Sequence, residues 1–154
     1  MPSTIETTLV HDGFSTISDI DVDPRDPNHV VFCTSGLNGN VFESFSAAVT
    51  LNSTSFSFVT GDLPQMPIYN VMIDQDFVNT GLILIGTEYG VFGTENSSHW
   101  EDISGPIGCA PVYEIRQNWR GWQEGGFKTG EIYIATFGNG IWSSDSYLTD
   151  NDNP

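Results

Sequence analysis

The chain has 154 residues, of which 38% are hydrophobic and 12% aromatic, and this composition indicates a folded domain with a core. Four lysine and arginine residues stand against 20 aspartate and glutamate residues, which gives a net charge of −16. Such a charge argues against nucleic acid and anionic membrane surfaces as partners, because both would repel it. It suits a secreted protein, a salty habitat or calcium binding, and the charge alone does not separate these.

The first predicted element is a strand at residues 5–10, where apolar and polar residues alternate. The residues before it lack the basic start and apolar core of a signal peptide, and no apolar stretch reaches the length of a membrane span. We therefore expect no membrane insertion. Export from the cell would require sequence upstream of this chain.

An internal repeat follows. An apolar phrase that leads through a turn to an aromatic residue occurs three times, at 30–42, 82–92 and 132–142. A phrase of alternating apolar and polar residues precedes each copy, at 17–23, 68–74 and 112–117. A repeat of about 50 residues, built from short β-rich runs separated by Gly, Asn and Pro, is typical of β-propeller blades.

Each unit is predicted to be an antiparallel sheet. The alternating phrase forms the first strand, a turn rich in Pro and Asx residues leads to the second, and a glycine turn leads to the third. Fourth strands are predicted at 55–59 and near 100–103, whereas the last unit ends without one.

We therefore predict an all-β fold, a β-propeller segment of about three four-stranded blades over residues 1–148. The units lie at about 15–60, 66–104 and 111–148, residues 5–10 belong to a preceding blade, and 149–154 form a polar tail or linker. Propellers usually close with about four to eight blades. The segment is thus expected to complete a ring with the remaining blades of a longer chain or by self-association.

Three stretches, at 21–31, 86–92 and 134–142, resemble the Asp-box or BNR-repeat propellers, which include sialidases, sortilin-type receptor domains and xyloglucanases. The turn typical of that family has Ser or Thr, then Asp, Gly and Trp. The candidate here runs from Thr94 to Trp100, has Asn96 in place of the Asp, and lacks the Gly. The likeness is closest to C-terminal blades of large Bacteroidetes proteins exported by type IX secretion, which implies a secreted or cell-surface location.

The connection at 118–130 is the one large departure from the repeat, and three of the four cations of the chain lie within or just before it. The candidate ligand-binding residues are Arg116, Trp119, Arg120, Trp122, Phe127 and Lys128. Exposed tryptophans stack on sugar rings and arginines bind carboxylates, so an acidic polysaccharide or a peptide would suit the patch. Alternatively, the loop folds back, buries its aromatic side chains and pairs its cations with local acids.

Three aspartates, Asp19, Asp21 and Asp23, alternate along the first predicted strand and share one face of it. They could bind calcium as a cofactor, or act as the acid and base of a glycoside hydrolase. The alternative is a solvated strand edge whose carboxylates cap turns. Cys33 and Cys109 are either two separate thiols or one disulfide between units, and the histidines show no metal-ligand spacing.

The sequence thus favours a non-enzymatic segment that binds carbohydrate or protein. A fragment of a glycoside hydrolase of the xyloglucanase or sialidase type is the first alternative. Structural blades without a ligand are the second.

Overall fold

The computed structural model describes residues 16–48, 56–75 and 82–146, and it is almost entirely β-structure. The predicted strand at 5–10, the predicted turn after Gln75 and the predicted tail at 149–154 lie outside the described residues. Within the described ranges there are two short 3-10 turns, Gly105–Ile107 and Trp122–Glu124, and no α-helix. None of these helical turns is long and apolar enough to cross a membrane.

Three antiparallel sheets follow one another along the chain. Sheet 1 contains β1 (Ile17–Val22), β2 (Val30–Thr34), β3 (Asn40–Ser44) and β4 (Ser57–Phe58). Sheet 2 contains β5 (Ile68–Ile73), β6 (Ile83–Thr87), β7 (Gly90–Thr94) and β8 (Glu101–Asp102). Sheet 3 contains β9 (Val112–Gln117), β10 (Ile132–Thr136) and β11 (Ile141–Ser144). The all-β class is confirmed, and a closed propeller ring stays a prediction.

The repeat seen in the sequence is also a repeat of strand register. The first residue of the first strand pairs with the last threonine of the second strand in every sheet, as Ile17 with Thr34, Ile68 with Thr87, and Val112 with Thr136. An irregularity in pairing follows each of these pairs. Because the register is the same, residues of the three sheets can be compared position by position.

The sheets pack face against face through two hydrophobic clusters. Between sheets 1 and 2, Val31 and Val41 belong to one cluster with Val71 and Ile85. Between sheets 2 and 3, residues such as Leu84 and Val91 contact Val112, Ile115 and Ile134. Sheet 2, in the middle of the stack, therefore buries both of its faces, and its strand β6 is buried along its whole length.

A small residue at the next-to-last position of the second strand allows this close approach. The position is occupied by Cys33 in sheet 1, Gly86 in sheet 2 and Ala135 in sheet 3. A Cβ atom on Gly86 would lie 2.7 Å from the carbonyl oxygen of Val112 in the next sheet. Gly86 therefore sets the distance between sheets 2 and 3. Cys33 is a buried free thiol and Cys109 an exposed one, so they form no disulfide.

Candidate functional site

The predicted aromatic loop between β9 and β10 is partly open to solvent. Trp119 and Phe127 are exposed, and the guanidinium of Arg120 lies 5.8 Å from the centre of the Trp119 ring. The loop is closed on itself, because the side-chain amide of Asn118 donates to the carbonyl oxygens of Phe127 and Lys128. Trp122 starts a 3-10 turn within the loop.

Two of the three cations near this loop are paired with acids of sheet 3. Arg116 lies 2.8 Å from Glu114, and Lys128 lies 2.9 Å from Glu131. The pairing with Glu131 raises the pKa of Lys128 through a hydrogen bond and charge attraction. The structure thus combines both sequence interpretations: the rings of Trp119 and Phe127 are exposed, while these two cations are used locally.

Two of the predicted aspartates join sheet 1 to sheet 2. Oδ2 of Asp19 accepts a hydrogen bond from the amide of Val71 at 3.1 Å, and Oδ2 of Asp21 accepts from the amide of Ile73 at 2.8 Å. Both donors belong to β5, the first strand of the neighbouring sheet. Burial raises the pKa of Asp21, against the opposing effect of its hydrogen bonds with Ile73 and Val22. Such carboxylates hold two sheets together.

Replacing Asp21 tests this structural role. Asp21→Ala is expected to lower the free energy of unfolding by about 1 to 2 kcal/mol, because the buried amide of Ile73 loses its acceptor. Asp21→Asn keeps an oxygen there and removes the buried charge, so it should retain most of the stability. Urea unfolding measures both, with the exposed Glu101→Ala as the matched control. Wild-type stability in Asp21→Ala would contradict the role.

The third aspartate belongs to a different, buried cluster. Asp23 follows β1, accepts from Nε of Arg25 at 3.0 Å, and lies 3.4 Å from Nδ1 of His29. Nε2 of His29 lies 2.9 Å from Glu43, and Glu43 accepts at 2.8 Å from the hydroxyl of Ser97, in the turn between β7 and β8. Sequence analysis did not predict this cluster, because the histidines are scattered along the chain without a recognisable spacing.

The charges of this cluster support one another. Burial alone would lower the pKa of His29, but hydrogen bonds and attraction from Glu43 and Asp23 outweigh it and raise that pKa. Burial alone would raise the pKa of Asp23, but Arg25 and His29 outweigh it and lower that pKa. The structure therefore favours a protonated His29 between two carboxylates.

The three aspartates do not converge on one point. Asp19 and Asp21 face sheet 2, whereas Asp23 faces Arg25 and His29. In the described part of the chain, no three His, Cys, Asp or Glu side chains are arranged to hold a metal ion. Calcium at these aspartates stays a prediction.

A row of aromatic rings lies at the end of the sheets opposite to the Trp119 loop. We define the aromatic row as Tyr69, Tyr113 and Phe137. The ring centres of Tyr69 and Tyr113 are 4.7 Å apart, and those of Tyr113 and Phe137 are 6.0 Å apart. Tyr113 is 47% exposed and Phe137 is 69% exposed. The row therefore crosses from sheet 2 to sheet 3 on the surface.

The fold places each ring of the row. Tyr69 and Tyr113 are the second residues of β5 and β9, and Phe137 directly follows β10. The amide of Phe137 donates to the carbonyl oxygen of Pro111, just before β9, as the amide of Glu88 does to Pro67 before β5. The turn that carries Phe137 is thus held against the start of the strand that carries Tyr113.

One acid lies beside the row. The hydroxyl of Tyr69 donates to Oε2 of Glu88 at 2.5 Å, and this hydrogen bond, with burial and charge, raises the pKa of Tyr69 to about 12. Tyr89, which is exposed, follows Glu88 in the turn between β6 and β7. Exposed rings beside a few oriented polar groups are typical of a surface that binds an uncharged, partly apolar ligand.

The sequence contained one sign of this row. Tyrosine recurs at the second position of the alternating phrase, as Ile68-Tyr69 and Val112-Tyr113. In a strand with one buried face, such a position alternates with the core residues and so faces the other way. The position of Phe137 next to Tyr113 depends on the geometry of the turn after β10, and the sequence pattern does not specify that geometry.

The architecture is therefore that of successive antiparallel sheets packed face to face, and comparisons with known proteins agree with it. No protein-family model matches the chain, and no curated protein is similar to it in sequence. A crystal structure of an ancestral GH74 enzyme is similar to 90% of this chain, with a TM-score of 0.51 and 18% sequence identity.

This chain spans 21% of the length of that enzyme. At such an identity the likeness shows the fold alone. It gives the expectation of a non-enzymatic protein no support, since the similar structure is that of an enzyme.

Proposed function

We propose that this chain is a segment of a β-propeller of the glycoside hydrolase type, and that it binds a polysaccharide along the aromatic row. The observation that carries the proposal is the run of adjacent rings Tyr69, Tyr113 and Phe137 across two sheets, in which Tyr113 and Phe137 are exposed and Tyr69 is half-buried. Aromatic faces bind the apolar faces of sugar rings, and a row of them offers successive contacts to a chain of sugars. The fold likeness to a GH74 enzyme supports the same class of ligand.

The geometry of the row favours a single, soluble polysaccharide chain. The rings of Tyr69 and Tyr113 are inclined by 49°, and those of Tyr113 and Phe137 by 85°. Rings inclined in this way do not form the flat array that would suit a crystalline surface. The proposed ligand is therefore one extended chain that follows the surface.

The charge of the protein favours a neutral ligand. A net charge of −16 repels acidic polysaccharides over the whole surface. Two of the three loop cations that would attract them are used locally, since Arg116 pairs with Glu114 and Lys128 with Glu131. The proposed ligand is therefore a neutral polysaccharide, unlike the acidic polysaccharide that the composition of the loop predicted.

Bond cleavage is not assigned to any residue of this segment. Asp19 and Asp21, the acid and base of the enzyme alternative, are both held by amides of sheet 2. The proposal is therefore that this segment contributes binding, and that cleavage, where it occurs, uses groups outside the described residues.

The resemblance to Asp-box propellers belongs to the same proposal, and the turn after β7 supports it. Oδ1 of Asn96 accepts hydrogen bonds from the amides of Ser98 and His99, and so takes the place of the family's aspartate. Trp100 ends the turn, is buried, and donates from Nε1 to the carbonyl oxygen of Val59. Secretion by the type IX route stays a prediction.

Replacing one ring of the row tests the proposal. Tyr113→Ala is expected to weaken binding of a soluble neutral β-glucan roughly tenfold or more, as the loss of a central aromatic contact does. Affinity gel electrophoresis with xyloglucan, and calorimetry with its oligosaccharides, would measure the change. Trp119→Ala, which removes an exposed aromatic ring at the other end of the sheets, is the matched control and should bind as the wild type does.

The outcomes separate the remaining alternatives. Loss of binding in Trp119→Ala but not in Tyr113→Ala would move the site to the predicted loop. Tighter binding of polygalacturonate than of xyloglucan would contradict the neutral ligand. If the folded protein bound no polysaccharide, the proposal would be wrong, and the remaining hypotheses would be a protein ligand or structural blades without a ligand.

A further inference from the structure

Among the described residues, no further sheet packs on the outer face of sheet 1 or of sheet 3. We call these the open faces, and the repeat shows what they are built to contact. In the first strand, Ile20, Val71 and Ile115 occupy equivalent positions, paired with Phe32, Ile85 and Ile134. Val71 and Ile115 are 0% exposed because each packs on the preceding sheet, whereas Ile20 is 57% exposed. Sheet 1 therefore has the face that receives a preceding sheet.

The opposite face is open on sheet 3. In the third strand, Val41, Val91 and Ile141 occupy equivalent positions, paired with Cys33, Gly86 and Ala135. Val41 and Val91 are 0% and 2% exposed because each packs on the following sheet, whereas Ile141 is 78% exposed. Sheet 3 therefore has the face that receives a following sheet.

A polar contact recurs in the same way. Asp19 accepts a hydrogen bond from the amide of Val71 in the next sheet, and Asn70 accepts one from the amide of Ile115. The equivalent residue of sheet 3 is Glu114, which is paired with Ala135 as Asp19 is with Cys33. Oε1 of Glu114 already accepts from Asn70 and pairs with Arg116, so Oε2 is the acceptor that this position would offer to a following sheet.

We propose that the open face of sheet 3 docks on the open face of sheet 1 in a second copy of this chain. A second copy is the occupant that these observations favour, because the two open faces are the two halves of a joint that the chain already forms twice within itself. In the new joint Ile141 packs against the sheet 1 face that contains Ile20, and Glu114 accepts from the amide of Ile20. The contact is head-to-tail, so it forms a closed ring or an open chain, depending on the angle between sheets.

Two copies supply six described sheets, which is within the range of about four to eight at which propellers close. A dimer is therefore the expected product. Each copy carries a net charge of −16, so the association should strengthen as added salt screens the repulsion.

Light scattering of the purified chain over a roughly hundredfold range of concentration tests the proposal, because a dimer depends on concentration by mass action. The wild type is expected to reach twice the mass of one chain. Ile141→Asp and Ile20→Asp should each remain folded and monomeric, since both side chains are exposed within one copy. Leu37→Asp, which changes an exposed apolar residue outside both faces, is the control and should dimerise.

Mixing the two monomeric variants makes the test specific. Each retains one intact face, so the mixture should form a heterodimer through one native joint, which nonspecific aggregation would not do. Larger oligomers that both variants abolish also support the joint, because a head-to-tail contact that does not close builds chains. A wild-type monomer at all concentrations, or association that neither variant weakens, would overturn the proposal.

Discussion

Replacing His29 with alanine is expected to lower the free energy of unfolding by about 3 to 5 kcal/mol, the cost typical of removing one partner from a buried ion cluster. His29 is 4% exposed and lies between Asp23 and Glu43, which are also buried. Without the imidazole, two carboxylates remain inside the protein with one cation, Arg25, on Asp23 alone. The stacking of His29 on Phe45, at 4.5 Å between ring centres, is lost as well.

The effect should depend on pH, with a definite sign. The pKa of His29 is raised by folding, so its stabilising contribution is complete below the ordinary value of about 6.5 and is lost as pH rises through the folded value. The pKa of Asp23 is lowered, so its contribution is present above about 4 and is lost as pH falls further. The difference between wild type and His29→Ala should therefore be largest between about pH 4 and 6.5.

Urea unfolding of both proteins across this pH range measures the difference. His99→Ala is the matched control, because His99 also contacts an aspartate, Asp62, but is 62% exposed in its side chain. Its unfolding midpoint should stay close to that of the wild type. Equal losses of stability in the two variants, or a difference between His29→Ala and wild type that grows above pH 7, would contradict this account of the cluster.

The strands were predictable because their signals are local. The alternation of apolar and polar residues at 17–23 predicts a partly exposed strand, and the mostly apolar run at 30–34 predicts a buried one. The structure has both strands, as β1 and β2. The repeated threonine at the end of each second strand fixes the register. Thr34 accepts from the amide of Asn40, Thr87 donates to the carbonyl oxygen of Gly90, and Thr136 does so to Gly140.

The roles of the polar residues were less predictable, because their partners lie in other sheets. The spacing of Asp19 and Asp21 shows that they share a face, but not that amides about fifty positions later approach that face. His29 follows Pro27 and Asn28 in a turn, which suggests exposure. It is buried because Phe45 and Ser97 come from distant parts of the chain to cover the cluster.

Asn70, which joins all three sheets, is the residue whose replacement gives the second large effect. It is 1% exposed, its Oδ1 accepts from the amide of Ile115 at 2.9 Å, and its Nδ2 donates to both Asp19 and Glu114. Asn70→Ala should lower the free energy of unfolding by about 2 to 4 kcal/mol. A buried amide then loses its acceptor, and two carboxylates lose a shared donor.

Asn70→Asp separates the acceptor function of the Asn70 side chain from its donor function. The new side chain keeps an oxygen for Ile115 but replaces the donor with a third carboxyl group between Asp19 and Glu114. Repulsion should raise the pKa of the introduced carboxyl above its ordinary value of about 4, so stability falls as pH rises through that range. Lowering the pH toward 4 should recover part of the loss, whereas the deficit of Asn70→Ala should change much less with pH.

Urea unfolding of the two variants at pH 4.5 and pH 8 distinguishes these effects, and Asn139 provides a control. Its side-chain amide also donates across sheets, to the carbonyl oxygen of Ile107, but the residue is exposed. Asn139→Asp should therefore show little loss of stability at either pH. If Asn70→Asp were as stable as the wild type at pH 8, Asp19 and Glu114 would not depend on a shared donor, and the polar link through the three sheets would have to be assigned to backbone contacts instead.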